Sequence, residues 1–235
     1  ANAFSGISYL CGEPDAPPAS PGTATLSDYM SGDYAALGVL VALQSREKTG
    51  CGQIVDVGLY ESVFRILDEL APAYAYKDFV RERMGAGTVN AVPHSHYPSK
   101  DGLWVAIACT NDKIFNRLAN LMDRNDVTGD GIYGTIAMRE AKRSEVDAFV
   151  TNWTTSLNRN EILSACEGAE VPCGPVYSIE EIFNDPQYKA RENLVEINDP
   201  RLGSITLPNV CPRLTETPGQ ISWAGRALGA DTQDV

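Results

Sequence analysis

The chain has little positive charge and only two histidines. Its 19 Lys and Arg stand against 31 Asp and Glu in 235 residues, which gives a formal net charge of −12. Nucleic acids and anionic membrane surfaces bind basic surfaces, so this balance argues against both classes of partner. The histidines, His94 and His96, have no cysteine close to them, and we therefore expect no structural zinc or other metal site.

Long apolar runs and paired cysteines are also missing. The longest apolar run, residues 34–43, is far shorter than the roughly 18 residues that cross a bilayer, and it predicts a buried helix. The six cysteines show no C-x-x-C spacing, which favours reduced thiols in a cytoplasmic protein. The sequence begins with Ala1 and no basic-then-apolar leader, so we expect a processed protein or part of a longer one.

The apolar pattern predicts interleaved helices and strands, which is typical of α/β or α+β proteins. A proline-rich loop over 12–25 precedes a helix that starts at Ser27 or Asp28 and ends near Glu47. A strand over 53–59, a helix over 60–79 and a long loop over 84–101 follow. Further helices are predicted at 112–123, 135–155, 158–167 and 180–184, and extended segments at 103–109, 171–177, 195–198 and 204–207.

The long loop suggests a division of the chain into three parts. Residues 1–83 form part of a large domain that carries the helix after Asp28, and residues 84–185 form a small α+β domain. Residues 186–235 are expected to return toward the large domain.

Two groups of residues are candidates for chemistry, although no P-loop, dinucleotide fingerprint or G-x-S-x-G elbow is present. Asp28 lies where a helix begins, so it is either a helix cap or a carboxylate kept ionised by the helix dipole for nucleophilic attack. We expect it to face a cavity. The second group is either a ligand-binding loop or a surface connector, and consists of Gly85, Gly87, Asn90, His94, His96 and Tyr97.

The order of several short strings resembles the class III CoA-transferase family, which includes formyl-CoA transferases and racemases of 2-methylacyl-CoA. These strings cover nearly the whole chain. They are SDYMSG at 27–32, REKTGCGQ at 46–53, VDV at 55–57, YPSKDG at 97–102, VPCGPV at 171–176, EE at 180–181, DPQ at 185–187, Arg191, DPRLG at 199–203 and the stretch 212–218.

The resemblance implies an α/β fold with a partial Rossmann-like large domain and a small α+β domain. Relative to the family, the N-terminal segment that supplies most CoA contacts is missing here, so we expect this chain alone to bind CoA weakly. The resemblance also implies an interlocked homodimer for the full-length protein. Its substrates would be an acyl-CoA and a small carboxylic acid, with no tightly bound cofactor.

In the transferases of the family, the aspartate that matches Asp28 is the nucleophile, and a glycine loop matching Gly85 and Gly87 protects the reaction intermediates. Two alternatives stay open: a racemase that moves a proton next to the thioester carbonyl, and a truncated chain without activity. Racemases tend to show a double glycine three residues after the aspartate, where this sequence has Ser31-Gly32. The acyl donor and the acceptor acid are not readable from the sequence.

Overall fold

The computed structural model describes residues 1–23 and 25–233 and mixes helices with two small sheets. Its helices are α1 (Asn2–Ser5), α2 (Ile7–Leu10), α3 (Leu26–Thr49), α4 (Leu59–Arg65), α5 (Leu70–Lys77), α6 (Asp112–Leu121), α7 (Ile136–Ala141), α8 (Arg143–Thr154), α9 (Arg159–Gly168), α10 (Ile179–Asn184) and α11 (Pro186–Ala190), with a 3₁₀ turn at Asn125–Val127. The strands are β1 (His94–Pro98), β2 (Trp104–Ala108), β3 (Cys173–Pro175), β4 (Leu194–Asp199) and β5 (Gly203–Pro208).

The long helix α3 confirms the helix predicted from residue 27 or 28 onward. It ends at Gly50, whose φ of 74° lets its N–H donate to the carbonyl of Arg46 at 2.8 Å. Arg46 and Lys48 lie in the last turn, where cations are stabilised by the helix dipole. The hydroxyl groups of the buried Ser31 in α3 and Ser62 in α4 lie 2.8 Å apart and join the two helices.

Two local predictions for residues 53–79 are wrong. Residues 51–58 form neither strand nor helix, and the side chain of Ile54 is 94% exposed. Alternating residues alone do not make a strand, because the backbone groups need a neighbouring strand, and none of the described residues supplies one. The single helix predicted over 60–79 is two helices, interrupted before Pro72 at Asp68, which has a φ of 43°.

A three-stranded antiparallel sheet with the order β1-β2-β3 organises the centre of the chain. Its first strand, β1, lies within the stretch that the sequence predicts as loop, so that prediction is wrong for His94–Pro98. The sequence HSHYP has no apolar alternation, and it becomes a strand because it pairs with β2 through a turn over 99–102. The predicted strand over 103–109 is confirmed as β2.

The hydrophobic core lies on one face of this sheet. Tyr97, Val105 and Ile107 project from β1 and β2 and are at most 2% exposed. Helices α6, α8 and α9 cover them with Phe115, Leu118, Val146, Val150, Ile162 and Cys166, all with 0% exposure. Each such side chain contributes roughly 1.5–3 kcal/mol by burial, so this cluster is what holds the sheet and the helices together.

A buried arginine ties the core to the loop before β1. Arg139 is 0% exposed and donates from Nε to the carbonyl of Val92 at 2.6 Å and from Nη1 to the carbonyl of Tyr133 at 2.9 Å. Its Nη2 donates to Asp112 at 2.8 Å, and the guanidinium lies 4.4 Å from the ring centroid of Phe115. The charge is therefore paired and hydrogen-bonded, as a buried ion must be.

The chain divides into two compact units, Ala1–Pro175 and Val176–Val235. The second unit holds α10, α11 and the β4–β5 hairpin. In its DPRLG turn, the carboxylate of Asp199 accepts the N–H groups of Arg201 and Leu202 at 2.8 and 3.1 Å, which holds the pKa of this carboxyl below its usual value. The three-part division at residues 83 and 185 stays a prediction.

The middle of α3 is apolar and exposed, so the helix predicted over residues 34–43 is present but the prediction that it is buried is wrong for this chain. Leu37, Leu40 and Val41 are 57%, 64% and 58% exposed, and their spacing places them on one side of the helix.

We expect the 235-residue chain to self-associate through this apolar side of α3 as its concentration rises. In light scattering after gel filtration, the double substitution Leu40→Lys with Val41→Lys should restore a monomer. Leu202→Lys, at an equally exposed leucine, should not, and an unchanged mass for the double variant would contradict the expectation.

Burial also predicts how stability changes at high pH. Loss of water around the thiol raises the pKa of Cys109 from 9.0 to about 12, and burial raises the pKa of Tyr97 as well. At pH values between 9.0, the pKa of the thiol in the unfolded chain, and about 12, its pKa in the folded chain, the unfolded chain loses this proton while the folded chain keeps it. The free energy of unfolding should therefore fall as pH rises above 9. Urea unfolding at about pH 8 and about pH 10.5 measures this. The decline should be shallower in Cys109→Ala, and equal slopes for both proteins would refute the role of this thiol.

Candidate functional site

The carboxylate of Asp28 is presented to solvent in the first turn of α3. Thr25 is the N-cap residue of this helix and makes no hydrogen bond through its side chain to the helix, so Asp28 is not the cap. The neighbouring Ser27 is 4% exposed, whereas Asp28 and Tyr29 are exposed. The position of Asp28 at the start of a helix is thus confirmed. Unpaired N–H groups in a first helical turn stabilise a negative charge, and a cavity around Asp28 stays a prediction.

The two glycines of the predicted loop make close contacts within the chain. The N–H of Gly85 donates to the carbonyl of Gly12 at 3.0 Å, and Gly85 has a φ of 58°. A Cβ atom there would lie 2.8 Å from the carboxylate oxygens of Glu13. The N–H of Gly87 donates to the carbonyl of Met84 at 2.9 Å and closes a tight turn. The positive φ of Gly85 favours glycine, whereas the exposed side chain of Glu13 can move away from a Cβ atom, and ligand binding by the two glycines stays a prediction.

The two histidines lie on the outer face of the sheet, opposite the core. They are two residues apart on β1 and therefore point to the same side. In the register of the sheet, His94 lies opposite Ala108 and His96 opposite Ala106. Both histidines border a cavity of about 280 Å³ that Ala86 also lines. The Nδ1 atom of His94 is shielded from solvent and has no hydrogen-bond partner among the described residues.

Tyr97 lies on the opposite face of the same strand. It is 2% exposed, and its hydroxyl donates to the carboxylate of Asp147 at 2.6 Å. Burial and the adjacent charge of Asp147 raise the pKa of this phenol, so the hydroxyl keeps its proton. Tyr97 and the histidines are thus separated by the sheet, and contact of Tyr97 with a substrate stays a prediction.

Asn90 lines a second and larger cavity, of about 920 Å³. It has a φ of 61° and lies near the end of the loop before β1. Lys77 of α5 and Arg143 of α8 line this cavity together with Glu69, Asp78 and Glu140, so its lining carries charges of both signs. The sequence does not single out Arg143 as a binding residue, because only the packing of α8 against the loop places it there. The six predicted binding residues therefore occupy several places and do not form one cluster.

The described part of the chain, residues 1–23 and 25–233, offers neither a metal cluster nor a membrane-spanning helix. No group of three or more His, Cys, Asp and Glu side chains in this part of the chain could hold a metal ion. None of the helices found there is both long and apolar enough to cross a membrane.

The chain resembles known CoA-transferases over its full length. The family profile described as CoA-transferase family III matches residues 1–232. The chain is 49% identical over 235 residues to the succinyl-CoA–L-malate CoA-transferase alpha subunit of Chloroflexus aurantiacus and 47% identical over 237 residues to the beta subunit. It is also 36% identical over 233 residues to the succinyl-CoA–D-citramalate CoA-transferase of that organism.

These alignments cover 100%, 100% and 99% of this chain but 55%, 58% and 58% of the relatives, so the chain spans little more than half of their length.

Solved structures share the same architecture. A CaiB/BaiF family protein from Brucella suis has a TM-score of 0.80 and 27% identity, covering 99% of this chain and 60% of the other. Rv3272 from Mycobacterium tuberculosis has a TM-score of 0.79 at 17% identity, covering 93% and 57%. These likenesses confirm the expected α/β fold class.

Proposed function

Since the chain belongs to CoA-transferase family III, we propose that the whole protein moves CoA from an acyl-CoA thioester to a carboxylic acid. The observation that carries this proposal is the 49% identity, over all 235 residues, to a succinyl-CoA–L-malate CoA-transferase subunit. The Chloroflexus relatives are named for succinyl-CoA as donor and for an acid with two carboxylates as acceptor. We therefore propose succinyl-CoA as donor and a small dicarboxylic acid as acceptor.

Asp28 is the proposed nucleophile. Its carboxylate attacks the thioester carbonyl of the donor, the C–S bond breaks, and CoA leaves as a thiolate while an aspartyl-acyl anhydride forms. The thiolate then attacks the Asp28 carbonyl of the anhydride, which releases the donor acid and leaves CoA as a thioester on Asp28. The acceptor carboxylate repeats the two steps in reverse. Each step exchanges one activated acyl group for another, so CoA enters and leaves as substrate and no tightly bound cofactor takes part.

The position of Asp28 suits this role. A nucleophilic carboxylate must be ionised, and the first turn of a helix is a position where acidic side chains are favoured. The intermediates also require a site closed to water, because an anhydride hydrolyses readily. In this chain Asp28 is exposed, and we propose that parts of the whole protein outside these residues, or a second subunit, enclose it.

A second polypeptide chain is the proposed macromolecular partner. The exposed side chains of Leu37, Leu40 and Val41 on α3 offer an apolar surface for such pairing. Relatives carry the names alpha and beta subunit at 49% and 47% identity, so both a homodimer and a pair of related chains are consistent with the resemblance. We keep the interlocked homodimer as the proposal, with a cytoplasmic location, and native mass spectrometry of the full-length protein tests the assembly.

The racemase alternative has less support. The Chloroflexus relatives are named as CoA-transferases, and the position three residues after Asp28 is Ser31, whose hydroxyl is engaged with Ser62. No observation on the described residues specifically favours proton transfer next to a thioester.

Mass spectrometry of the full-length protein with succinyl-CoA tests the proposal. Incubation without an acceptor should place CoA or a succinyl group on the peptide that contains Asp28, and added L-malate should then remove the label with formation of malyl-CoA. A protein that catalyses exchange without any label on this peptide would refute the role of Asp28. A protein without exchange activity would refute the proposed function as a whole.

A further inference from the structure

The outer face of the three-stranded sheet carries a hollow made by small residues. In one row across the strands, His96 of β1, Ala106 of β2 and Gly174 of β3 lie opposite one another. In the next row of the same face, His94 lies opposite Ala108. Side chains directly opposite on neighbouring strands share a face, so two imidazoles border a floor of methyl groups and one bare backbone.

The hollow is unfilled because Gly174 has no side chain. A Cβ atom at Gly174 would meet no other atom within 4 Å, and its backbone does not require glycine by a positive φ. The resulting cavity of about 280 Å³ is also lined by Ala86 of the loop before β1. This volume is at the lower end for small-molecule sites, and it suits a molecule far smaller than CoA.

The chemistry of the lining is selective. The cavity is lined by no Asp, Glu, Lys or Arg among the described residues, although the chain carries 31 acidic side chains. Its hydrogen-bonding side chains include both histidines of the protein. Nδ1 of His94 is shielded from solvent without a partner among the described residues, so no hydrogen bond at this atom holds the ring in place.

We propose that this hollow binds the small dicarboxylate acceptor, with one carboxylate on each histidine. His94 and His96 are two residues apart along a strand, which separates them by about 6.7 Å. The carboxylates of a four-carbon diacid are separated by two methylene groups, which can rest on Ala106 and Gly174. The ring N–H of each imidazole donates to a carboxylate oxygen, and the absence of acidic side chains from the described lining removes repulsion. The identity of the ligand as acceptor rests on the proposed function.

In this proposal His94 and His96 belong to the hollow, whereas other residues that the sequence analysis groups with them do not. Tyr97 points to the other face of β1 and is engaged with Asp147, and Asn90 lines a different cavity. Neither should therefore affect binding in the hollow. Gly174 and Ala106, which the sequence does not select as binding residues, become the residues that set the size of the ligand.

Nuclear magnetic resonance of the histidine rings tests the proposal on this 235-residue chain. Because the protein has only two histidines and both line the hollow, each ring signal reports on this site alone. Succinate, added up to about 10 mM, roughly ten times the upper end of ordinary KM values, should shift both ring signals in a saturable way. Succinamide, which has the same carbon chain without charge, should leave both signals in place under the same conditions.

Two variants fill the hollow from different strands. Gly174→Val and Ala106→Val should each weaken succinate binding by about tenfold or more, since the added side chain occupies the space of the methylene groups. Gly168→Val is the matched control, because a Cβ atom at this exposed position of α9 also meets nothing within 4 Å. It should bind succinate within about twofold of the parent. The spectrum of each variant shows directly whether it is folded.

Three results would overturn the inference. They are histidine signals that do not respond to succinate, signals that respond equally to succinamide, and folded Gly174→Val and Ala106→Val variants that both retain binding. The outcome is independent of the covalent chemistry, because succinate binding is measured without any CoA ester present. Binding without label on Asp28 in the full-length protein would refute the proposed mechanism alone, whereas label without binding would refute the hollow as the acceptor site.

Discussion

Asp28→Asn in the full-length protein is expected to abolish CoA exchange between succinyl-CoA and an acceptor acid. The amide has no negative charge and is a poor nucleophile, so neither the anhydride nor the aspartyl thioester can form. Removal of a covalent nucleophile costs on the order of 10⁴-fold or more in kcat, which for a slow exchange means loss of detectable turnover. Initial rates measured by chromatography of the CoA esters give the result.

Asp33→Asn is the matched control for this experiment. Asp33 is also an exposed carboxylate on α3, one to two turns after Asp28, and its replacement changes the net charge by the same amount. It should leave the rate within about threefold of the parent. Equal losses in both variants would indicate that general electrostatics or folding of α3 is responsible, and near-normal turnover in Asp28→Asn would end the nucleophile hypothesis. Freshly prepared protein is required, because deamidation of the introduced asparagine would regenerate the aspartate.

Arg139→Met is expected to cause a severe loss of stability. The guanidinium is 0% exposed and satisfies two backbone carbonyls, those of Val92 and Tyr133, together with the carboxylate of Asp112. Methionine fills much of the volume but leaves the buried carbonyls of Val92 and Tyr133 without donors, whereas the carboxylate of Asp112, whose side chain is 48% exposed, can bind water instead. Each buried carbonyl left unsatisfied costs about 1–3 kcal/mol in the free energy of unfolding. Urea unfolding followed by circular dichroism measures the change.

Arg124→Met provides the comparison for Arg139→Met. The guanidinium of Arg124 donates to the carboxylate of Asp126 at 2.7 and 2.9 Å and lies 5.0 Å from the ring centroid of Phe149. Its side chain is 43% exposed, so water replaces the lost contacts and the loss of stability should be far smaller than in Arg139→Met. A similar loss in both variants would show that burial is not the reason for the importance of Arg139.

Asp28 and Arg139 also differ in whether a local sequence pattern predicts their role. Asp28 can be found from the sequence because a helix start after a Pro/Gly loop is a local signal, and α3 confirms it. Arg139 carries no such signal. Its role depends on carbonyl groups 47 and 6 residues away and on Asp112, 27 residues away, and these meet only after β1, α6 and α7 have packed.

The sequence by itself determined the family, the helix that bears Asp28, and most helices and strands after residue 100. The helices and strands follow from local periodicity, caps and turn residues, which act over a few neighbouring residues, whereas the family was identified by the order of short strings that resemble it. The same local signals give wrong predictions where strand formation depends on pairing with another strand. Residues 53–58 alternate like a strand and remain irregular, whereas His94–Pro98 lacks alternation and pairs with β2.

Only the tertiary structure decided how the predicted binding residues are distributed. The pairing of β1 with β2 places His94 and His96 on the outer face and turns Tyr97 into the core. The pairing of β2 with β3 brings Gly174, from a distant part of the sequence, into the row of His96. The physical reason is that strand register fixes which residues share a face, and register depends on backbone hydrogen bonds between distant segments that no local pattern encodes.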